Sequence, residues 1–270
     1  MGQVVNTNVS SITAQKNLNR SSSAMATTMQ RLSSGLRINS ARDDAAGLAI
    51  SERQTAQIRG MSQAIRNAGD GSSLLETAES GLVQITELAQ RIRELAVQGA
   101  NGTYGSSDLT KMGSEVTALK AEMDRIAETT DFNGLKIIDA DAGTISFQVG
   151  ADSGQTVDVT TVDAGSLGAG LTTITTQASA NTLIGAVDTA LNTIATQRAT
   201  YGAGMNRLSA TAANLENVRE ATSGARSRIR DADFASETAN LARTQVLQQA
   251  GIAMLGQANA SSQSVLALLQ

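Results

Sequence analysis

The sequence predicts a mainly α protein, a long antiparallel helical bundle or coiled coil with a small β-hairpin region and with its N- and C-terminal helices paired. Three observations carry this expectation. Apolar residues recur at alternating intervals of three and four over long stretches of the chain. No proline is present to break a helix, and aromatics make up only 2% of the 270 residues, too few for a thick globular core. Both ends are patterned yet uncharged, with no ionisable side chain before Lys16 or after Arg243.

The elements follow in chain order. Ala14, Leu18, Ser21, Met25, Thr28 and Leu32 keep near-heptad spacing and predict an N-terminal helix. Gly35, Gly47 and Gly60 read as breaks after it. Between residues 61 and 96, Leu75, Ala78, Leu82, Ile85, Ala89, Ile92 and Ala96 form a heptad seam, extended backwards by Ala68, Ala64 and Met61. Leu88 and Leu95 widen that stripe, as a bundle helix needs, and Gly99, Asn101 and Gly102 end it.

Leu109, Met112, Val116, Leu119, Met123 and Ile126 mark the next helix, with Ser107 or Asp108 as its cap. The connection before it is short, which predicts antiparallel packing. The period then changes to two. Ile145, Phe147 and Val149, and after them Val157 and Val159, alternate with polar residues, while Gly150 and Gly154 bracket a turn; this is a β-hairpin. Residues 163–181, rich in Gly, Ala, Ser and Thr, read as a loop or a second weak hairpin. A further helix over about 182–222 has Val187, Ile194, Tyr201, Met205, Leu208, Ala212 and Leu215 on its seam. The last has Leu247, Ala250, Met254, Ala258, Ser261, Val265 and Leu268.

The missing residue types exclude most chemistry. Without His or Cys the chain lacks the commonest general base, the commonest metal ligand and any thiolate. No catalytic constellation emerges, and the chain reads as a non-enzyme without a cofactor. Asp139 and Asp141 sit in a stretch faintly like a Ca²⁺ loop, but the spacing and the closing Glu fail. A net charge of −4 offers no basic footprint for nucleic acid. No apolar run is long enough to insert in a membrane, and the start lacks the features of a secretory signal.

The uncharged ends need a separate explanation. An exposed helix normally carries charge on its outer face. Helices that are polar only through Gln, Asn, Ser and Thr suit burial on several sides in an assembly, and their apolar stripes are thin for a monomer core. Ordering the backbone costs about 1–2 kcal/mol per residue. Such ends are expected to be disordered in the monomer and to fold when neighbours supply the missing surface.

Several stretches then resemble flagellin. They are LSSGLRINSARDDAAG at 32–47, QRIRELAVQ at 90–98 followed by NGT at 101–103, and ARSRIRDADF at 225–234 followed by QQAG at 248–251 and LALLQ at 266–270. DFNG at 131–134 and FQVG at 147–150 also match. The resemblance covers about residues 1–150 and 182–270. It implies a subunit that is exported and polymerises into the bacterial flagellar filament for swimming. It also implies a terminal coiled-coil domain of residues 1–44 and 226–270 lining the filament core, and a rod-like helical domain of 45–225 with its hairpin at about 131–181. The middle of the chain is too short for the variable outer domains of larger members.

The same resemblance assigns filament-core packing to Leu18, Met25, Leu32, Leu247, Ala250, Met254, Val265 and Leu268. It places Arg42, Asp43 and Asp44 in the spoke between the domains, where Ser40 and Asp43 have capping-box spacing and two acids suit a helix start. It assigns recognition by host Toll-like receptor 5, shared with subunit packing, to Gln90, Arg91, Arg93, Glu94, Leu95, Gln98, Glu115 and Arg207, with an exposed Arg91 beside an apolar Leu95 as the anchor. The implied partners are a homopolymer, the flagellar export machinery and its chaperone, and the filament cap and hook-junction proteins; the implied location is extracellular. The alternatives are a hook–filament junction protein and a non-flagellar intracellular coiled-coil scaffold. Against the scaffold stands a charged fraction of only 17%.

Overall fold

The computed structural model describes residues 7–267, with side chains described as far as residue 261. Eight elements follow one another: α1 Val9–Ser34, α2 Ala45–Gly99, α3 Ser106–Thr129, β1 Thr144–Gln148, β2 Thr156–Thr160, α4 Gly165–Ala169, α5 Gln177–Arg230 and α6 Phe234–Ala267. Two compact units result, one of residues up to 56 with those from 221, the other of residues 57–220. The divisions fall within α2 and within α5, whereas the sequence-based boundaries lie at 44/45 and 225/226.

In the 57–220 unit the heptad seam becomes the core. Leu75, Ala78, Leu82, Ile85, Ala89, Ile92 and Ala96 are all at 0% exposure, so this row alone fixes which side of α2 faces inward. Val116 and Met123 from α3, and Leu183, Val187, Ile194, Tyr201 and Leu208 from α5, pack into the same cluster. Both neighbours run antiparallel to α2. On the α3 side Gly81 lies beside Thr130 while Arg91 pairs with Glu115. On the α5 side Gly71, Glu79 and Arg93 meet Leu208, Arg198 and Asp188 in turn.

The hairpin is antiparallel, with Ile145 opposite Val159 and Phe147 opposite Val157. Val157 and Val159 are buried, whereas Thr156, Asp158 and Thr160 are exposed, as period-two patterning requires. Gly154 takes a left-handed φ of 84° in its turn.

Four local expectations are corrected. Gly35 does end α1 in a left-handed C-cap, but Gly47 and Gly60 lie inside α2 and break nothing. They are small because something approaches them. A Cβ on Gly47 would collide with the Asp44 carboxylate, and one on Gly60 would lie 2.9 Å from the Ala151 Cβ. The cap of α3 is Gly105 without a side-chain hydrogen bond; Ser107 and Asp108 fall within the first turn. Residues 163–181 contain no second hairpin but the short α4 and a following segment, because Ala164, Leu171 and Ile174 turn inward and are buried. The helices also outrun the sequence estimate, α5 covering 54 residues.

Candidate assembly interface

In the unit holding both termini, α1 and α6 pair antiparallel. Asn8 Nδ2 donates to the Ala258 carbonyl at 2.9 Å, and Ser11 Oγ to Asn259 Oδ1 at 2.9 Å. Leu18 lies against Gly251, and Arg31 pairs with Glu237 at 3.1 Å. The α1 side of the seam is Ser11, Ala14, Leu18, Ser21, Met25, Thr28 and Leu32, buried or half-buried. Leu18, Met25 and Leu32 therefore face α6 within one subunit.

On α6 the register differs from the expected stripe. Glu237, Leu241, Thr244, Gln248, Gly251, Leu255 and Ala258 are its buried or half-buried positions. Leu247, Ala250 and Met254 lie on the exposed side, Leu247 at 51% and Met254 at 64%. Apolar periodicity misled here because the inward row is mainly small or polar. The most buried side chains of the pair, Ser11, Thr28, Glu237 and Thr244, are all polar. The side chain of Val265, and all of Leu268, lie outside the described residues. Val9, Ser10, Leu18, Leu247, Ala250 and Met254 line an open groove of about 830 Å³ along the pair. Val246 and Ile252 add exposed apolar surface on α6, as do Val9, Ile12 and Met29 on α1.

The connections beside this pair are tied backbone to backbone. Leu36 bridges Asp231, the Arg37 amide donates to the Arg230 carbonyl at 2.7 Å, and the Ala232 amide to the Gly35 carbonyl at 3.0 Å. Ile38 is fully buried beneath the turn that follows. Asp43 accepts from the amides of Asn39 and Ser40 and from the Ser40 hydroxyl. Those bonds, the Ser40 amide first, hold its carboxyl below the usual carboxylate range. Asp44 Oδ1 accepts the Gly47 amide at 2.8 Å and so caps α2. The capping box expected from Ser40 and Asp43 is thus a turn ahead of the helix, and both acids precede the first turn, which holds none. Arg42 is exposed on the same turn.

The second predicted surface lies on α2 of the other unit. Arg91 bridges Glu94 at 3.0 Å and Glu115 at 2.9 Å, and these partners raise its pKa, Glu115 first. Arg93 pairs with Asp188 at 2.7 Å, which lowers the carboxylate's pKa. Gln98 donates to the Tyr104 hydroxyl at 3.1 Å, and Gln90, Arg93, Glu94, Val97 and Gln98 line a shallow recess. Two expected members are misplaced. Leu95 is 3% exposed and belongs to the core, so it cannot anchor a partner; the exposed apolar residue there is Val97, at 50%. Arg207 immediately precedes Leu208, which packs on Gly71, 20 residues before Arg91 and so about 30 Å along the helix. On α5 the acid that meets this surface is Asp188, and no spacing rule in the sequence points to it. Among the described residues no group of acidic side chains is arranged to hold a metal ion, and no helix is long and apolar enough to cross a membrane. Asp141 instead accepts the Lys136 amide at 2.9 Å within its turn.

Long paired helices whose most buried positions are polar and whose apolar residues lie exposed define a structural protein made to associate. The comparisons with known proteins name the kind. The model of the bacterial flagellin N-terminal helical region matches residues 5–142, and that of the C-terminal helical region matches 184–269. A flagellin of Halalkalibacterium halodurans is 44% identical, the alignment covering 99% of this chain and 100% of the relative. Flagellin A of Vibrio anguillarum is 34% identical over 98% of this chain and 99% of its own, in an alignment of 375 positions. The Bacillus cereus flagellin crystal structure superposes with a TM-score of 0.52 at 37% identity, covering 56% of this chain and 88% of that one. The chain belongs to the flagellin family, and its role is that of a structural subunit of the bacterial flagellar filament. It is a short form, without the additional length that the Vibrio relative carries. Neither the junction-protein nor the scaffold alternative is favoured.

Proposed function

We propose that this subunit polymerises through its α1–α6 pair, which is completed only by neighbouring copies. The supporting observation is the exposure of Val9, Ile12, Met29, Val246, Leu247, Ile252 and Met254, each at 51–64%, on a pair whose most buried positions are polar. Burial of apolar area is worth about 25 cal/mol per Å². Spent between copies rather than within one, it drives an open helical polymer through heterologous contacts. Residues 1–44 with 226–270 form the core-lining domain, and 45–225 form the rod. Arg42, Asp43 and Asp44 belong to the spoke that joins them.

Export by the flagellar machinery with its chaperone, placement under the filament cap and on the hook-junction proteins, and an extracellular location complete the proposal. So does recognition of the free subunit by Toll-like receptor 5 through Gln90, Arg91, Arg93, Glu94, Gln98 and Glu115. Seeded polymerisation tests the core. Removal of residues 265–270, or Met254→Glu, is expected to block growth while the thermal unfolding of the 57–220 unit stays as it was. Growth at the normal critical concentration by both variants would overturn the assignment of this face.

A further inference from the structure

We propose that Met29 and Met254 are oxidation sites through which a peroxide disables the free subunit; this rests on the assembly role given above to the α1–α6 face. The chain has 8 methionines and no cysteine, so thioethers are its most readily oxidised side chains. Their surroundings divide them. Met123 is at 0% exposure and Met61 at 5%, both in the 57–220 unit, while Met25 is half-buried in the α1–α6 seam. Met29, at 53%, and Met254, at 64%, lie open to solvent on opposite helices of the pair. Met254 also lines the groove beside Val9, Leu18 and Leu247.

The chemistry balances with hydrogen peroxide as the oxidant. A sulfur lone pair attacks one peroxide oxygen, the O–O bond breaks, an S–O bond forms, and the attacked oxygen's proton passes to the departing hydroxide, which leaves as water. Sulfur is oxidised by two electrons and the peroxide is reduced by two. The product is a polar, chiral sulfoxide in place of a flexible apolar group. On an exposed helix face it costs the monomer little. Covered by a neighbouring subunit, its oxygen is a buried acceptor with no donor supplied, and the contact weakens. Assembly, by covering the same sulfurs, also shields them. Oxidation is therefore a check on subunits before incorporation and leaves the finished filament alone. A methionine sulfoxide reductase would restore the subunit.

The experiment treats purified subunit and preformed filament with dilute hydrogen peroxide, maps sulfoxides by peptide mass spectrometry and measures the critical concentration for seeded growth. Met29 and Met254 are expected to oxidise first in the free subunit and slowly in the filament, with Met61 and Met123 last in both. The critical concentration of the oxidised subunit should rise about tenfold, as loss of an apolar contact to a polar sulfoxide implies. The M29L/M254L double variant, close in volume and checked by thermal unfolding, has its own critical concentration before peroxide as the reference, and that value should not rise after peroxide. Oxidised subunit that grows normally with both sulfoxides formed overturns the inference alone, as does equal oxidation of Met61 and Met123. Untreated subunit that forms no filament overturns the assembly role and this inference with it.

Discussion

The two antiparallel helix sets of this chain are built on the same spacing and to opposite ends. In the 57–220 unit the heptad row of α2 is filled by Leu, Ile and Ala and is completely dry. In the α1–α6 pair the most buried positions of the corresponding row are Ser11, Thr28, Glu237 and Thr244, its apolar members Leu18, Met25, Leu32, Leu241 and Leu255 are only half-buried, and Leu247, Ile252 and Met254 face solvent. One set spends its apolar surface internally and needs no partner. The other leaves much of that surface open and joins its own two helices through half-buried leucines, small residues, hydrogen bonds and one half-buried ion pair. Heptad spacing alone therefore does not say whether a helix stabilises a monomer or a polymer; the side on which the apolar residues lie decides it.

The largest effect that would sharpen this contrast is a cavity in the dry core. Ile85→Ala or Ile92→Ala should cost about 2–5 kcal/mol in denaturant unfolding of the subunit. Leu247→Ala, a deletion on an exposed face, should change the same measurement by no more than about 0.5 kcal/mol. Equal losses would mean that the α1–α6 pair is already a finished core in the monomer.

Alkaline unfolding probes the dry core next. Burial pushes the Tyr201 phenol up to about 12, helped by the nearby Glu79 carboxylate. A tyrosine in the unfolded chain ionises near pH 10. Between pH 10 and about 12 the unfolded chain gives up this proton while the folded one keeps it. Stability therefore falls as pH rises through that window, by a few kcal/mol in all from this group. The fall attributable to Tyr201 should vanish in Tyr201→Phe, read as the difference between the two unfolding curves. Parallel curves would show that the phenol is wetter than its position implies.

A smaller effect is expected where the pairing helices hold register. Arg31 and Glu237 have side-chain exposures of 30% and 10%, so neither charge is fully solvated. Glu237→Gln should cost the pair about 1.5–3 kcal/mol, the range of a hydrogen bond to a charged group. Amide exchange along α1 and α6 in the filament would report it. Exchange unchanged from wild type would mean that the seam is set by shape alone.

The legible part of this molecule was the part whose periodicity and burial coincide. Leu75 to Ala96, Val187 and Ile194, and the Val157/Val159 alternation all point inward as their spacing says. Leu247, Ala250 and Met254 have the same spacing, but the row that meets α1 lies on another face of α6, because Glu237, Thr244 and Gly251 carry no hydrophobic signal. The glycines at 47 and 60 looked like breaks because a single chain does not reveal that Asp44 and Ala151 approach them. The resemblance offered Leu95 as a surface anchor, yet its position on the widened stripe of α2 already places it inside. Asp188 was invisible, since nothing local marks which acid on a distant helix will meet Arg93.

The smallest expected change in stability comes from the ion pairs on the outside of α2, and it separates folding from recognition. Arg91, Glu94 and Glu115 are all about half-exposed or more, as are Arg93 and Asp188. Exposed pairs of this kind are screened by water and salt and contribute little to folding. Arg91→Ala and Asp188→Asn should therefore leave the unfolding midpoint of the subunit unchanged near neutral pH. The Arg93 partner lowers the Asp188 pKa, so whatever this pair adds is present above the ordinary carboxylate range and is lost as pH falls through the folded value. If these charges serve a receptor, Arg91→Ala should abolish signalling by the free subunit through Toll-like receptor 5 while its unfolding curve overlays that of wild type. Arg207→Ala, at a different level of the rod, should signal normally. Loss of signalling from Arg207→Ala equal to that from Arg91→Ala would show a footprint reaching far beyond the α2 recess, and a shifted midpoint for Arg91→Ala would return the cluster to a structural role.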